Sequence, residues 1–154
     1  MELVFFGSGP VAAASLDHLA KHFAIEMVIT KLSPPHHKLE APVEAVAKKY
    51  DLLVKHANTK QELDALLRSV TINSRLGVVV DYGVIISKES IDRFELGIVN
   101  SHFSLLPQWR GADPITFAIL SGQPSSGVSL MLIEPSLDTG KILVQKSIKI
   151  DPDE

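Results

Sequence analysis

Apolar positions cluster into short continuous runs along the first half of the chain. Residues 3–6 (LVFF), 27–30 (MVIT), 52–56 (LLVKH) and 77–80 (GVVV) are four of them. Unbroken apolar or β-branched runs of this length predict strands covered on both faces, as in a parallel sheet. Between the runs the pattern becomes helical over 10–22, 42–50 and 59–69. The third of these opens Thr59-Lys-Gln-Glu62, a capping-box pattern. The order βαβαβαβ predicts a doubly wound α/β fold with a mostly parallel sheet. A short helix over 87–94, a strand over 97–101 and a helix over 113–121 follow, the last opened by Asp113-Pro114. Two further runs, 127–133 and 142–150, are separated by a spacer too short for a helical crossover. They are therefore expected to pair antiparallel as a C-terminal hairpin.

The 154 residues suffice for one domain with a sizeable core. The formal net charge of -3 supplies no global field for a polyanion or an anionic membrane. With no cysteine there are no disulfides, thiolate nucleophiles or cysteine zinc sites, which fits a cytoplasmic protein. No apolar run reaches the roughly 18–20 residues that span a bilayer. The opening MELVFFGSGP reads as a first strand rather than a secretory signal. The segment 31–40, KLSPPHHKLE, reads as a polar loop stiffened by two prolines, with His36 and His37 a solvated pair and no metal expected. Asp151-Pro152 reads as the start of a further helix, so the domain is expected to lack its final helix.

Gly7-Ser-Gly-Pro-Val-Ala12 fits a dinucleotide fingerprint in the right context, between a strand and a helix. The acidic residue that should read the ribose about 20 positions later is missing from Val28-Ile-Thr-Lys31. The turn is therefore expected to be structural, or to hold an anion at the helix N-terminus.

Asn100 and His102 stand two apart at the end of a strand and so share one face. Ligand sites of open α/β sheets gather at such ends. Asp138, in the Leu137-Asp-Thr-Gly140 turn, is a candidate partner for His102. An amide, an imidazole and a carboxylate suit attack of an amine on a carbonyl. The amide donates to the developing oxyanion, the imidazole manages protons, and the carboxylate orients the imidazole. The same residue types also occur as structural turn and strand-end residues.

Asn100-Ser-His102, Ser104-Leu-Leu-Pro107, Arg110-Gly111, Gly127-Val128 and Leu137-Asp-Thr-Gly140 together resemble the formyltetrahydrofolate-dependent formyltransferases. Phe6-Gly-Ser-Gly-Pro10 and Val79-Val-Asp-Tyr-Gly83 extend the resemblance over essentially the whole chain. Trp109-Arg-Gly-Ala112 with Pro114-Ile115 most resembles the branch that acts on methionyl-tRNA. The resemblance implies a Rossmann-like αβα catalytic domain, 10-formyltetrahydrofolate as donor, and charged initiator tRNA as acceptor, for translation initiation. It implies Asn100, His102 and Asp138 as catalytic residues. It implies that Val84, Ile85, Ile86, Ser104, Leu105, Leu106, Pro107, Leu137, Thr139 and Gly140 bind the folate, and that Phe6, Gly7, Ser8, Gly9, Arg110 and Gly111 face the substrate.

Two departures bear on the acceptor. The 31–40 loop has no Arg and no Gly, where the tRNA enzymes carry a longer basic loop. The basic C-terminal β-barrel of those enzymes also has no counterpart in the 154 residues. An amino-sugar N-formyltransferase, and a folate-binding form without turnover, are the alternative readings.

Overall fold

The computed structural model describes residues 1–32 and 40–151, which fall into two compact units, Met1–Ile98 and Val99–Glu154. The 33–39 stretch with His36 and His37, and the expected helix start at Pro152, lie outside the described residues.

The first unit alternates strand and helix: β1 (Glu2–Gly7), α1 (Gly9–Ala20), β2 (Ala24–Thr30), α2 (Pro42–Lys49), β3 (Val54–His56), α3 (Lys60–Ser69), β4 (Leu76–Val80) and α4 (Lys88–Ile91). β1 pairs in parallel with β2 and with β4, and β2 pairs in parallel with β3. β1 is thus central, and its run Leu3, Val4, Phe5, Phe6 is buried on both faces, as an unbroken apolar stretch requires. The Phe6 ring packs against Tyr82 and Phe94 with centroids 6.0 and 5.9 Å away. Truncating a buried phenylalanine to alanine typically costs about 3–5 kcal/mol, so this layer contributes substantially to the unit's stability. Tyr82 donates its hydroxyl to the Ala57 carbonyl at 2.8 Å, and burial pushes the phenol well above its ordinary pKa.

Helix starts follow the sequence signals. Thr59 caps α3 by accepting from the Glu62 N–H at 3.2 Å. The Glu62 carboxylate reaches back one residue further than a capping box usually does, to the Asn58 N–H at 2.6 Å. Ser87 caps α4 and donates to Asp64 at 2.5 Å, tying α4 to α3.

Two expected elements are shorter than their patterns. The strand expected over 52–56 is confined to Val54–His56. Asp51 takes a left-handed φ of 53° and the Leu52 N–H bonds back to the Ala47 carbonyl, so these two residues finish α2 instead. The helix expected over 87–94 is confined to Lys88–Ile91, because Phe94 and Gly97 close consecutive turns onto Ile91 and Phe94.

The second unit carries β5 (Ile98–His102), α5 (Pro114–Leu120), β6 (Ser125–Leu132) and β7 (Ile142–Lys149). β6 pairs antiparallel with both β5 and β7, so the expected C-terminal hairpin is found. β7 is exposed along all eight residues. No helix among the described residues is long and apolar enough to cross a membrane.

Candidate active site

Antiparallel pairing places Asn100 opposite Met131 and His102 opposite Ser129. Directly opposed residues share a face, so both side chains point to the same side of β5 and β6. The 103–111 loop folds back over that face and is pinned from below. Ser129, fully buried, donates to the Ser104 carbonyl at 2.6 Å and accepts from the Leu106 N–H at 3.0 Å. Gln145, on β7, donates to Ser129 Oγ at 2.8 Å and to the Leu106 carbonyl at 2.9 Å. The Ser104 hydroxyl donates to the Gln108 carbonyl at 2.5 Å, and the Leu106–Pro107 peptide is cis. A Cβ at Gly127 would overlap the Lys146 carbonyl and come within 2.6 Å of Leu105, so glycine lets the loop lie flat on β6.

This scaffold sets His102, which is only 6% exposed. Its Nε2 lies 2.8 Å from the Trp109 carbonyl oxygen, and its Nδ1 lies 3.7 Å from Asp138 Oδ2. The same Asp138 oxygen accepts the Gly111 N–H at 2.7 Å. Asp138 sits at a φ of 49°, a left-handed conformation that Asp adopts more readily than most residues. Gly111 has a φ of 93°, where a side chain would be strained. Among the described residues the half-buried Asn100 side chain makes no hydrogen bond.

The structure therefore brings His102 and Asp138 together, with Asn100 on the strand that carries His102. Ser104 and Leu106 are buried supports of the loop, Leu105 is half-buried, and Pro107 and Arg110 are exposed. Leu137 is 70% exposed and Thr139 is exposed, whereas Gly140 is buried where a Cβ would overlap the Leu132 carbonyl.

The remaining expected site residues belong to the first unit. Val84 is half-buried, Ile86 is buried and Ile85 is 74% exposed, between the end of β4 and the α4 cap. Phe6 is part of the core. Gly7 has no room for a Cβ against Ala12 and the Val80 carbonyl. The Ser8 N–H donates to the Asp81 carbonyl at 3.1 Å, its hydroxyl accepts from the Lys31 N–H at 3.2 Å, and Gly9 turns with a φ of 79°. These bonds tie the glycine turn to the ends of β2 and β4. Burial raises the Asp81 carboxyl above its ordinary pKa, and Lys31 partly counters it.

Four contributors went unread in the sequence: the Trp109 carbonyl, the Gly111 N–H in its role toward Asp138, Ser129 and Gln145. Ser129 leaves one signal, a polar residue inside an otherwise apolar strand run, whereas Gln145 shares its strand with Lys146, Ser147 and Lys149 and leaves none.

The sequence profile of the formyl transferase family matches residues 1–154. The chain belongs to the formyl transferase family. It is 34% identical over 160 residues to the methionyl-tRNA formyltransferase of Cereibacter sphaeroides, covering 100% of this chain and 52% of that one. It is 37% identical over 158 residues to the methionyl-tRNA formyltransferase of Finegoldia magna, covering 97% of this chain and 50% of that one. The chain thus spans about half the length of these relatives. Among solved structures, glycinamide ribonucleotide transformylase 1 from Symbiobacterium toebii superposes with a TM-score of 0.85 at 17% identity, over 100% of this chain and 76% of that one. The phosphoribosylglycinamide formyltransferase of Streptococcus pneumoniae gives 0.79 at 26% identity, over 99% and 84%. The fold is the αβα formyltransferase fold, as the motifs implied.

Proposed function

We propose that the chain transfers a formyl group from 10-formyltetrahydrofolate to the α-amino group of methionyl-tRNA. The observation that carries this is the His102–Asp138 pair, 3.7 Å apart and braced by main-chain groups on either side, on the strand that also presents Asn100. The relatives' names support the acceptor.

In this reading the amine nitrogen attacks the formyl carbon and forms the new C–N bond. The Asn100 amide donates to the carbonyl oxygen as it becomes an oxyanion. His102 adds positive charge beside that oxygen and relays the proton lost by the amine toward the departing nitrogen of the folate. Asp138 keeps the imidazole in place and sets a carboxylate beside it. No protein nucleophile is needed, because the acceptor supplies it.

The net charge of -3 favours a second reading, an amino-sugar nucleotide as acceptor, which needs no basic surface. Presenting both acceptors with labelled donor in one reaction separates them. The proposal expects label in formyl-methionyl-tRNA; label only in the amino sugar, or donor binding without any product, rejects it.

A further inference from the structure

A carbonyl oxygen accepts and cannot donate, so the 2.8 Å contact between His102 Nε2 and the Trp109 carbonyl places the hydrogen on Nε2. In the neutral ring Nδ1 then holds the lone pair. Nδ1 faces Asp138 Oδ2 at 3.7 Å, too far for a hydrogen bond, while that oxygen is already engaged by the Gly111 N–H. One ring nitrogen is therefore committed to the backbone and the other is left beside a carboxylate.

The group that makes this commitment is in an unusual state. Trp109 has a φ of 55°, a left-handed conformation that a bulky side chain rarely adopts. Its side chain is held twice over. The indole stacks on Phe117 with centroids 6.0 Å apart and planes 11° from parallel, and the indole N–H donates to Gln123 Oε1 at 3.1 Å. The peptide before it is fixed by the Ser104 hydroxyl on the Gln108 carbonyl. Strain of this kind persists only where several contacts over-determine it, and here they aim one carbonyl at the buried imidazole.

We propose that Trp109 is a positioning residue: through its main-chain carbonyl it fixes His102 as the Nε2–H tautomer and makes Nδ1 the atom that takes up and releases a proton. The catalytic part of this rests on the formyl-transfer reading; the tautomer does not.

Long-range proton–nitrogen spectra of the full chain labelled with 15N-histidine, recorded at about pH 9 where an ordinary imidazole is neutral, read the tautomer directly. The His102 signal is the one lost in His102→Gln. The expected spectrum shows a protonated Nε2 and an unprotonated Nδ1; a protonated Nδ1, or averaging between the two forms, overturns the proposal. Trp109→Gly adopts the left-handed turn freely but loses both side-chain anchors. It is expected to let His102 average between tautomers and to lower kcat about 10²-fold, with KM for the donor little changed. Trp109→Phe, which keeps the stack, is expected to restore the single tautomer and most of kcat. A Trp109→Gly protein with the wild-type spectrum and wild-type kcat contradicts the assignment. If the chain proves to have no formyl-transfer activity, the wild-type spectrum still decides the tautomer, so the two failures are distinguishable.

Discussion

One carboxylate oxygen in this protein serves two neighbours: Asp138 Oδ2 accepts the Gly111 N–H and faces His102 Nδ1. An asparagine there can still present an oxygen to Gly111 but brings no charge to the imidazole. Asp138→Asn is therefore expected to leave unfolding within about 1 kcal/mol of wild type. It is expected to lower kcat by about 10²-fold or more, because the imidazole that moves the proton loses its carboxylate partner. Parallel urea unfolding and steady-state kinetics check it; a loss of stability matching the loss of rate would make Asp138 a turn residue only. The residue types of this cluster were legible because an amide, an imidazole and a carboxylate are scarce and their strand-end and turn positions follow from local pattern. The Trp109 carbonyl was not, since every residue carries a carbonyl and its direction depends on a φ that only the folded loop sets.

The elements hold together through polar ties as well as apolar burial. Glu26 on β2 accepts from the Asn73 N–H at 2.8 Å, the Asn73 amide at 3.1 Å and the Ser74 N–H at 2.7 Å, joining β2 to the approach to β4. Burial alone would raise the Glu26 carboxyl; the bonds from Ser74 and Asn73 outweigh it and hold the pKa below the usual carboxylate range. A depressed folded-state pKa gives stability that is full above the unfolded value and is lost as pH falls through the folded one. Glu26→Gln is thus expected to cost about 1–2 kcal/mol near neutrality. In urea titrations across pH the cost should shrink in acid, where the wild-type carboxyl is also neutral. An equal cost at every pH would place the effect in shape rather than charge. At this scale most strands could be read from their apolar runs. The exceptions arise where main-chain bonds override composition: Leu52 is apolar enough for a strand, yet its N–H is taken by the end of α2.

For the whole molecule, family and fold were legible because the motifs are spread along nearly the full length and the family profile and solved structures agree with them. The acceptor is a different matter. A -3 charge gives no electrostatic signature of tRNA, and the basic-loop position falls at residues 33–39, outside the described structure. The chain also matches only about half of its methionyl-tRNA relatives. In the proposed reading the reaction centre lies on β5 and the turn after β6, and it can be tested without knowing how the acceptor is held. The decisive quantity is the single-turnover rate of formyl transfer at saturating 10-formyltetrahydrofolate, compared between the wild type and Asn100→Ala. Loss of an oxyanion donor predicts a rate about 10²–10³-fold slower with donor binding retained; an Asn100→Ala protein that transfers formyl as fast as wild type would contradict the account.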